Sequence, residues 1–257
     1  MSDAFYVGAI GLQTQQRALD GVANNIANIN TPAFKRTQLR FADVVVTRPE
    51  ADAVRPDAPR ASEELAGVTI DAQFMLNEQG EVERTGQAMD VAIQGPGLIE
   101  LMGPGGQTLL WRGGSLKINE DGLLATAGGL PLRAAITVPE DATALQIGSD
   151  GVVRATVADS AEPIELGQIQ LVRIEDSGSV DRLDGGLYRL AESVSLNETQ
   201  PGEDGTGVLV QGAIERSNVS LTDEMVRMML VQRAYAANAQ ILQAADQMMA
   251  TANGLRR

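Results

Sequence analysis

Residues 4–32 read AFYVGAIGLQTQQRALDGVANNIANINTP. Phe5, Leu12, Leu19 and Ile26 recur every seven residues, with Ala9, Val22 and Ala23 filling the same face. That period predicts an amphipathic α-helix over 4–29 that buries one stripe against another helix. Ser2 or Asp3 supplies a cap. Asn28-Ile29-Asn30-Thr31-Pro32 ends the helix, because two turn-prone Asn precede a Pro that biases Thr31 away from the α region.

The chain closes on the same pattern. Leu221, Met228, Tyr235, Leu242 and Met249 keep the seven-residue spacing, flanked by Val231, Ile241, Ala245 and Met248. Ser220, with Asp223 three residues on, reads as a capping-box-like start. Asn253-Gly254 reads as the stop, giving a helix about 50 Å long. Neither helix has a helical neighbour in sequence, so its expected partner is the other helix or a further copy of the chain.

Between the helices the period changes. Residues 34–46, with Phe34, Phe41, Val44, Val45 and Val46, read as an extended arm. Residues 47–67 hold Pro49, Pro56, Pro59 and five alanines, the composition of a weakly ordered connector. From 68 to 215, short apolar runs between turn residues predict a compact antiparallel β domain. Asn119-Glu120-Asp121-Gly122 and Gly148-Ser149-Asp150-Gly151 are its hairpin signals, and Gly-rich 196–212 reads as a loop. The expected architecture is α+β. Residues 1–30 and 217–257 pair as a coiled-coil-like helical domain, 31–67 connect, and 68–216 form a β-rich outer domain.

Of the 257 residues, 44% are hydrophobic but only 3% aromatic, so aliphatic side chains and Met must build the core. The absence of Cys and His removes thiolate catalysis, Cys-ligated zinc and the commonest general base. Lys35 and Lys117 are the only lysines, no G-x-S-x-G occurs, and Gly103-Pro104-Gly105-Gly106 lacks the Lys-Ser/Thr of a phosphate loop. No catalytic, metal or cofactor site is expected. The methionines at 225, 228, 229, 248 and 249 have helical spacing and read as packing. No apolar run reaches about 18 residues, and the N-terminal stretch lacks a signal-peptide pattern, so neither membrane insertion nor a cleaved leader is expected.

The net charge of −14 is uneven: +2 over 1–40, −17 over 41–216 and +1 over 217–257. An acidic chain does not seek nucleic acid or an anionic membrane. Its near-neutral ends approach one another without repulsion, and the acidic middle reads as solvated surface.

Ala23-Asn24-Asn25-Ile26-Ala27-Asn28-Ile29-Asn30-Thr31-Pro32-Ala33-Phe34-Lys35 resembles the N-terminal signature of bacterial flagellar rod and hook proteins, A-N-N-(L/I)-A-N-x-x-T-x-G-(F/Y)-K. Glu215-Arg216-Ser217-Asn218-Val219-Ser220, Gln232-Arg233-Ala234-Tyr235 and Asn238 resemble the family's other terminal signature. Thr85-Gly86, Asp90-Val91-Ala92-Ile93-Gln94-Gly95 and Arg112-Gly113-Gly114-Ser115 agree in the middle. The resemblance covers nearly the whole chain. Ala33 stands where the family usually has Gly, and if that Gly has positive φ, Ala33 must distort or shift the turn.

The resemblance implies a non-enzymatic rod subunit, nearest the distal rod protein or its proximal neighbour. It implies export through the flagellar secretion channel without leader cleavage, and helical stacking into a hollow shaft across the periplasm. Phe5, Leu12, Leu19, Ile26, Leu221, Met228, Tyr235, Leu242 and Met249 should build the axial wall. Asn24, Asn25, Asn28, Phe34 and Lys35 should touch neighbouring subunits, with Asn30, Thr31, Ser217, Asn218, Gln232, Arg233 and Asn238 completing the junction motifs. Adjacent rod and hook subunits, the ring bushing and the export apparatus are the implied partners. Two other classes stay open: a secreted oligomeric β-domain binding or adhesion module, and a secreted hydrolase, which the missing His and Cys disfavour.

Overall fold

The computed structural model describes residues 2–47, 63–158, 162–174, 180–190 and 198–254. The architecture is α+β and divides into two compact units, one of Met1–Ala27, Thr37–Gln73 and Ser220–Arg257, the other of Asn28–Arg36 and Phe74–Val219.

The first unit holds helix α1, Ser2–Ala27, and helix α2, Leu221–Gly254. They are about 39 and 51 Å long at 1.5 Å per residue. The start of α2 follows the sequence signal. The Asp223 N–H donates to Ser220 Oγ at 3.4 Å and the Glu224 N–H to Ser220 O at 3.0 Å, satisfying donors at the first turn. The same unit contains strands β1, Thr37–Thr47, and β2, Glu63–Phe74, which pair as a two-stranded sheet. Residues 37–46, read as an extended arm, form a strand, and residues 63–67, read as weakly ordered connector, open the strand that pairs with it. The proline-rich stretch 48–62 lies outside the described residues.

The second unit follows as β3 Val82–Arg84, β4 Asp90–Gln94, β5 Leu98–Met102, β6 Thr108–Trp111, β7 Gly113–Ile118, β8 Leu124–Thr126, β9 Ala142–Ile147, β10 Val152–Val157, β11 Ile164–Gln168, β12 Leu171–Val172, β13 Val180–Arg182, β14 Leu187–Leu190, β15 Glu198–Thr199, β16 Val208–Gln211 and β17 Ala213–Glu215. The sheets run β13-β14-β6-β5-β12-β15, β16-β4-β7-β8, β11-β10-β9 and β17-β3. Their pairings are antiparallel. Both hairpin signals sit where expected, joining β7 to β8 and β9 to β10. The expected loop 196–212 instead contains β16, whose Val208-Leu209-Val210 pairs with β4. Its apolar run is too short to stand out among the surrounding glycines.

Alternation explains why Leu98-Ile99-Glu100-Leu101 and Leu109-Leu110-Trp111 read as unbroken runs. Ile99, Leu101, Leu109 and Trp111 enter the main core with Val91, Ile93, Leu124, Val153 and Leu171. Leu98 and Leu110 point into a second cluster with Leu76, Ile174, Val180 and Tyr188. Strands buried on both faces lose the polar half of the period.

Ala33 does not shift its turn. It takes the left-handed conformation itself, φ 55°, buried, with its N–H donating to Glu215 O at 2.7 Å. A Cβ at that φ costs roughly 1–2 kcal/mol, which the surrounding fold must offset.

Candidate assembly interface

In the first unit the helices run in opposite directions. A Cβ on Gly8 would come within 2.6 Å of Leu242 Cδ2, and one on Gly11 within 3.4 Å of Asn238 Nδ2. Further along, Asn25 Nδ2 donates to Glu224 Oε2 at 3.3 Å. Small residues on α1 thus let α2 approach closely. Asn25 is the pivot of this unit. Its amide also donates to Thr37 O at 3.0 Å and accepts from the Thr37 N–H at 3.0 Å, copying a strand pairing. One buried side chain ties α1, β1 and α2 together, and the Glu224 it contacts is fully buried.

The expected heptad stripe is partly realised. Leu12, Leu19, Ile26, Met228, Leu242 and Met249 are half-buried. Leu221 and Tyr235 are exposed, and Phe5 falls where side chains are not described. Ile241 and Met248, expected to flank the stripe, and Met225 and Met229, expected to pack, instead belong to a second apolar face that is open in the single chain. Met225, Val226, Met229, Leu230, Ile241 and Met248 are 49–68% exposed. At 100° per residue they lie round the helix from Glu224, Asn238 and Leu242, the residues turned to α1. Val226 and Leu230 complete the face, and a single heptad register does not separate it from the stripe. Beside this face Ala18, Val22, Leu39, Leu230 and Val231 line a groove of about 180 Å³, bordered by Thr37, Glu224 and Arg227.

In the second unit Phe34 and Lys35 are fully buried. They and Asn25 are expected at contacts with neighbouring subunits; in the single chain all three are enclosed by its own residues. Lys35 Nζ donates to Glu215 Oε1 at 2.6 Å and to Glu78 O at 2.6 Å. Arg112 Nε meets the other oxygen, Oε2, at 2.7 Å. The Gly80 N–H adds a third bond to Glu215 at 2.8 Å. Arg112 also donates to the carbonyls of Gly95, at 2.5 Å, and Gly97. Burial holds the Lys35 ammonium pKa below its ordinary 10.5, against the pull of Glu215. Arg182 stacks on the Phe34 ring, 3.8 Å from its centroid.

Other motif positions serve the same junction. Asn218 Oδ1 accepts from the Arg36 N–H at 2.7 Å and its amide donates to Glu78 O at 3.1 Å. Thr31 Oγ1 donates to Asn28 Oδ1 at 3.1 Å, and the Val219 N–H to Ser217 Oγ at 3.3 Å. Thr85 and Ser115 hydroxyls both donate to Asp90 at 2.6 Å. Gly113, φ 112°, is required because a Cβ there would meet Val91 O at 2.7 Å. Asn24, Asn30, Gln232 and Arg233 are exposed. Arg112, Glu215 and Glu224 are the key charges that spacing alone does not reveal, because their partners lie 103 to 199 residues away. Among the described residues no group of three acidic side chains is placed to hold a metal, and no helix is long and apolar enough to cross a membrane.

Three family models match the chain. They are the flagella basal body rod protein over residues 5–35, the flagellar hook protein FlgE/F/G D1 domain over 92–155, and the flagellar basal body rod FlgEFG protein C-terminal over 210–255. Lys35, Arg112 and Glu215 come one from each segment, so a single buried ion cluster stitches the three together. The chain is 34% identical over 267 residues to the flagellar basal-body rod protein FlgG of Borreliella burgdorferi, covering 100% of both. It is 33% identical over 254 residues to FlgG of Buchnera aphidicola subsp. Acyrthosiphon pisum, covering 97% of this chain and 98% of the relative. To the basal-body rod protein FlgF of Caulobacter vibrioides it is 31% identical over 247 residues, covering 94% and 93%. With full-length relatives at this identity, the chain belongs to the flagellar basal-body rod protein family.

Proposed function

We propose that this chain is a structural subunit of the distal flagellar rod, without catalytic activity, polymerising helically into the hollow shaft that carries torque to the hook. The observation that carries this is the exposed apolar face of α2. A monomer leaves the six large apolar side chains of this face in water, and burying them returns roughly 25 cal/mol for each Å² removed from water. The α1–α2 pair acts as a coiled-coil-like axial element. Its outer face packs against other copies, and the neighbouring groove has room for an apolar side chain from one of them.

The acidic β-rich unit serves as the solvated exterior, facing the ring that surrounds the shaft. Adjacent rod and hook subunits meet the helical ends, and the subunits arrive through the flagellar export apparatus without leader cleavage. Electron microscopy of basal bodies from a strain lacking the chain tests this. A rod that stops short and carries no hook is expected, and the length that remains separates a distal from a proximal subunit. Complete hook-basal bodies would overturn the proposal.

A further inference from the structure

Five of the nine methionines lie in α2. The chain has no cysteine, so thioether sulfur is its softest centre towards a two-electron oxidant. Exposure divides the five: Met225, Met229 and Met248 are open, whereas Met228 and Met249 are half-buried. The open three belong to the outer apolar face. Met225 and Met229 sit one turn apart beside Val226 and Leu230, and Met248 follows Ile241 along the helix. Met102, in β5 of the other unit, is also exposed.

We propose that Met225, Met229 and Met248 form a peroxide-sensitive modification site, whose conversion to sulfoxide in the unassembled chain disables the α2 outer face for self-association. This rests on the assembly reading above. The step balances with hydrogen peroxide as oxidant. A sulfur lone pair attacks one peroxide oxygen, the O–O bond breaks, sulfur loses two electrons and keeps that oxygen, and the other oxygen leaves as water. The product is a strong hydrogen-bond acceptor in place of an apolar thioether. In the monomer it stays solvated, so folding is little affected. Pressed against Val, Leu or Ile of another copy it must give up water without a donor to replace it, so the cost falls on association.

The test oxidises the full-length chain with hydrogen peroxide, maps sulfoxides by peptide mass spectrometry and follows association by sedimentation. Sulfoxide is expected at Met225, Met229, Met248 and Met102 before Met75 and Met89. The concentration needed for association should rise roughly tenfold, as lost apolar burial implies, with thermal unfolding of the monomer unchanged. Methionine sulfoxide reductases should reverse the shift. The combined Met225→Leu, Met229→Leu, Met248→Leu variant should keep its own untreated level of association through peroxide, while Met102→Leu stays sensitive. If the untreated chain associates and the oxidised chain does so equally, the proposal falls and the assembly reading stands. If the untreated chain does not associate, the assembly reading fails and the proposal goes with it.

Discussion

The two units solve opposite problems. The β-rich unit buries most of its large apolar residues and even a few charges, closing Lys35, Arg112 and Glu215 into one internal cluster. The helical unit keeps a polar pivot at Asn25 inside and leaves aliphatic and Met side chains outside on α2. An isolated helix pair has too little surface to enclose two apolar faces. The difference teaches that one unit closes on itself, whereas the other leaves an apolar face open in the single chain, the face on which the proposed assembly rests.

The comparison breaks most directly at Glu215. Glu215→Gln keeps the shape but leaves two buried cations against a neutral amide. Losing one partner of a buried cluster costs about 3–5 kcal/mol, so thermal unfolding of the β-rich unit should drop sharply. A variant as stable as the parent would mean that the cluster is not what closes this unit.

Asn25→Ala comes next. It strands the Thr37 N–H and C=O and removes a contact from buried Glu224, a loss of about 2–3 kcal/mol by the cost of unmet buried groups. The effect should appear in amide exchange of α1 and β1 and leave the β-rich unit unmoved. Faster exchange in both units equally would erase the distinction drawn between them.

Tyr188 sharpens the same contrast through pH. Its ring is fully buried, its hydroxyl has no hydrogen-bond partner among the described residues, and burial pushes its pKa from 10.0 up to about 12. Below pH 10 the phenol is neutral folded or unfolded. Between 10 and 12 the unfolded chain ionises first, so stability falls as pH rises, on the order of 2 kcal/mol across that window. Lys35 acts with the opposite sign, because its lowered pKa lets the folded chain release its proton first. Tyr188→Phe isolates the tyrosine: its alkaline unfolding curve should be flatter than the parent's, and parallel curves would refute the assignment.

These residues also show what the sequence made legible. The helices could be placed to within a few residues, because a heptad stripe and its end signals are local. The two Asp-Gly hairpins were readable for the same reason. The pairing of β1 with β2, the strand at Val208–Gln211 and the ion cluster were not, since each depends on partners far along the chain. The role expected of Phe34 and Lys35 rests on the resemblance, and no local pattern signals that both are buried. Only the fold reveals that the chain turns inward at Ala33.

Ala33→Gly should have a small effect of the other sign. Relief of left-handed strain, roughly 1 kcal/mol, is offset by the larger unfolded-state entropy of Gly, about 0.4–1 kcal/mol. The variant should unfold at the same temperature as the parent or slightly above. A clear loss would mean that the buried methyl matters more than the backbone.

The smallest effect on folding should fall where the effect on assembly is greatest. Leu230 is 60% exposed on the outer face of α2 and also lines the groove. Leu230→Gln removes no enclosed contact, so monomer stability should stay within about 0.5 kcal/mol, as for other surface substitutions. In an assembled shaft the same glutamine would be buried against apolar neighbours without a guaranteed partner, and motility on soft agar should fall. A motile Leu230→Gln strain would place the subunit contacts elsewhere. A monomer that unfolds early would instead mean that this face belongs to the helical unit's own core, and the contrast between a finished and an unfinished unit would dissolve.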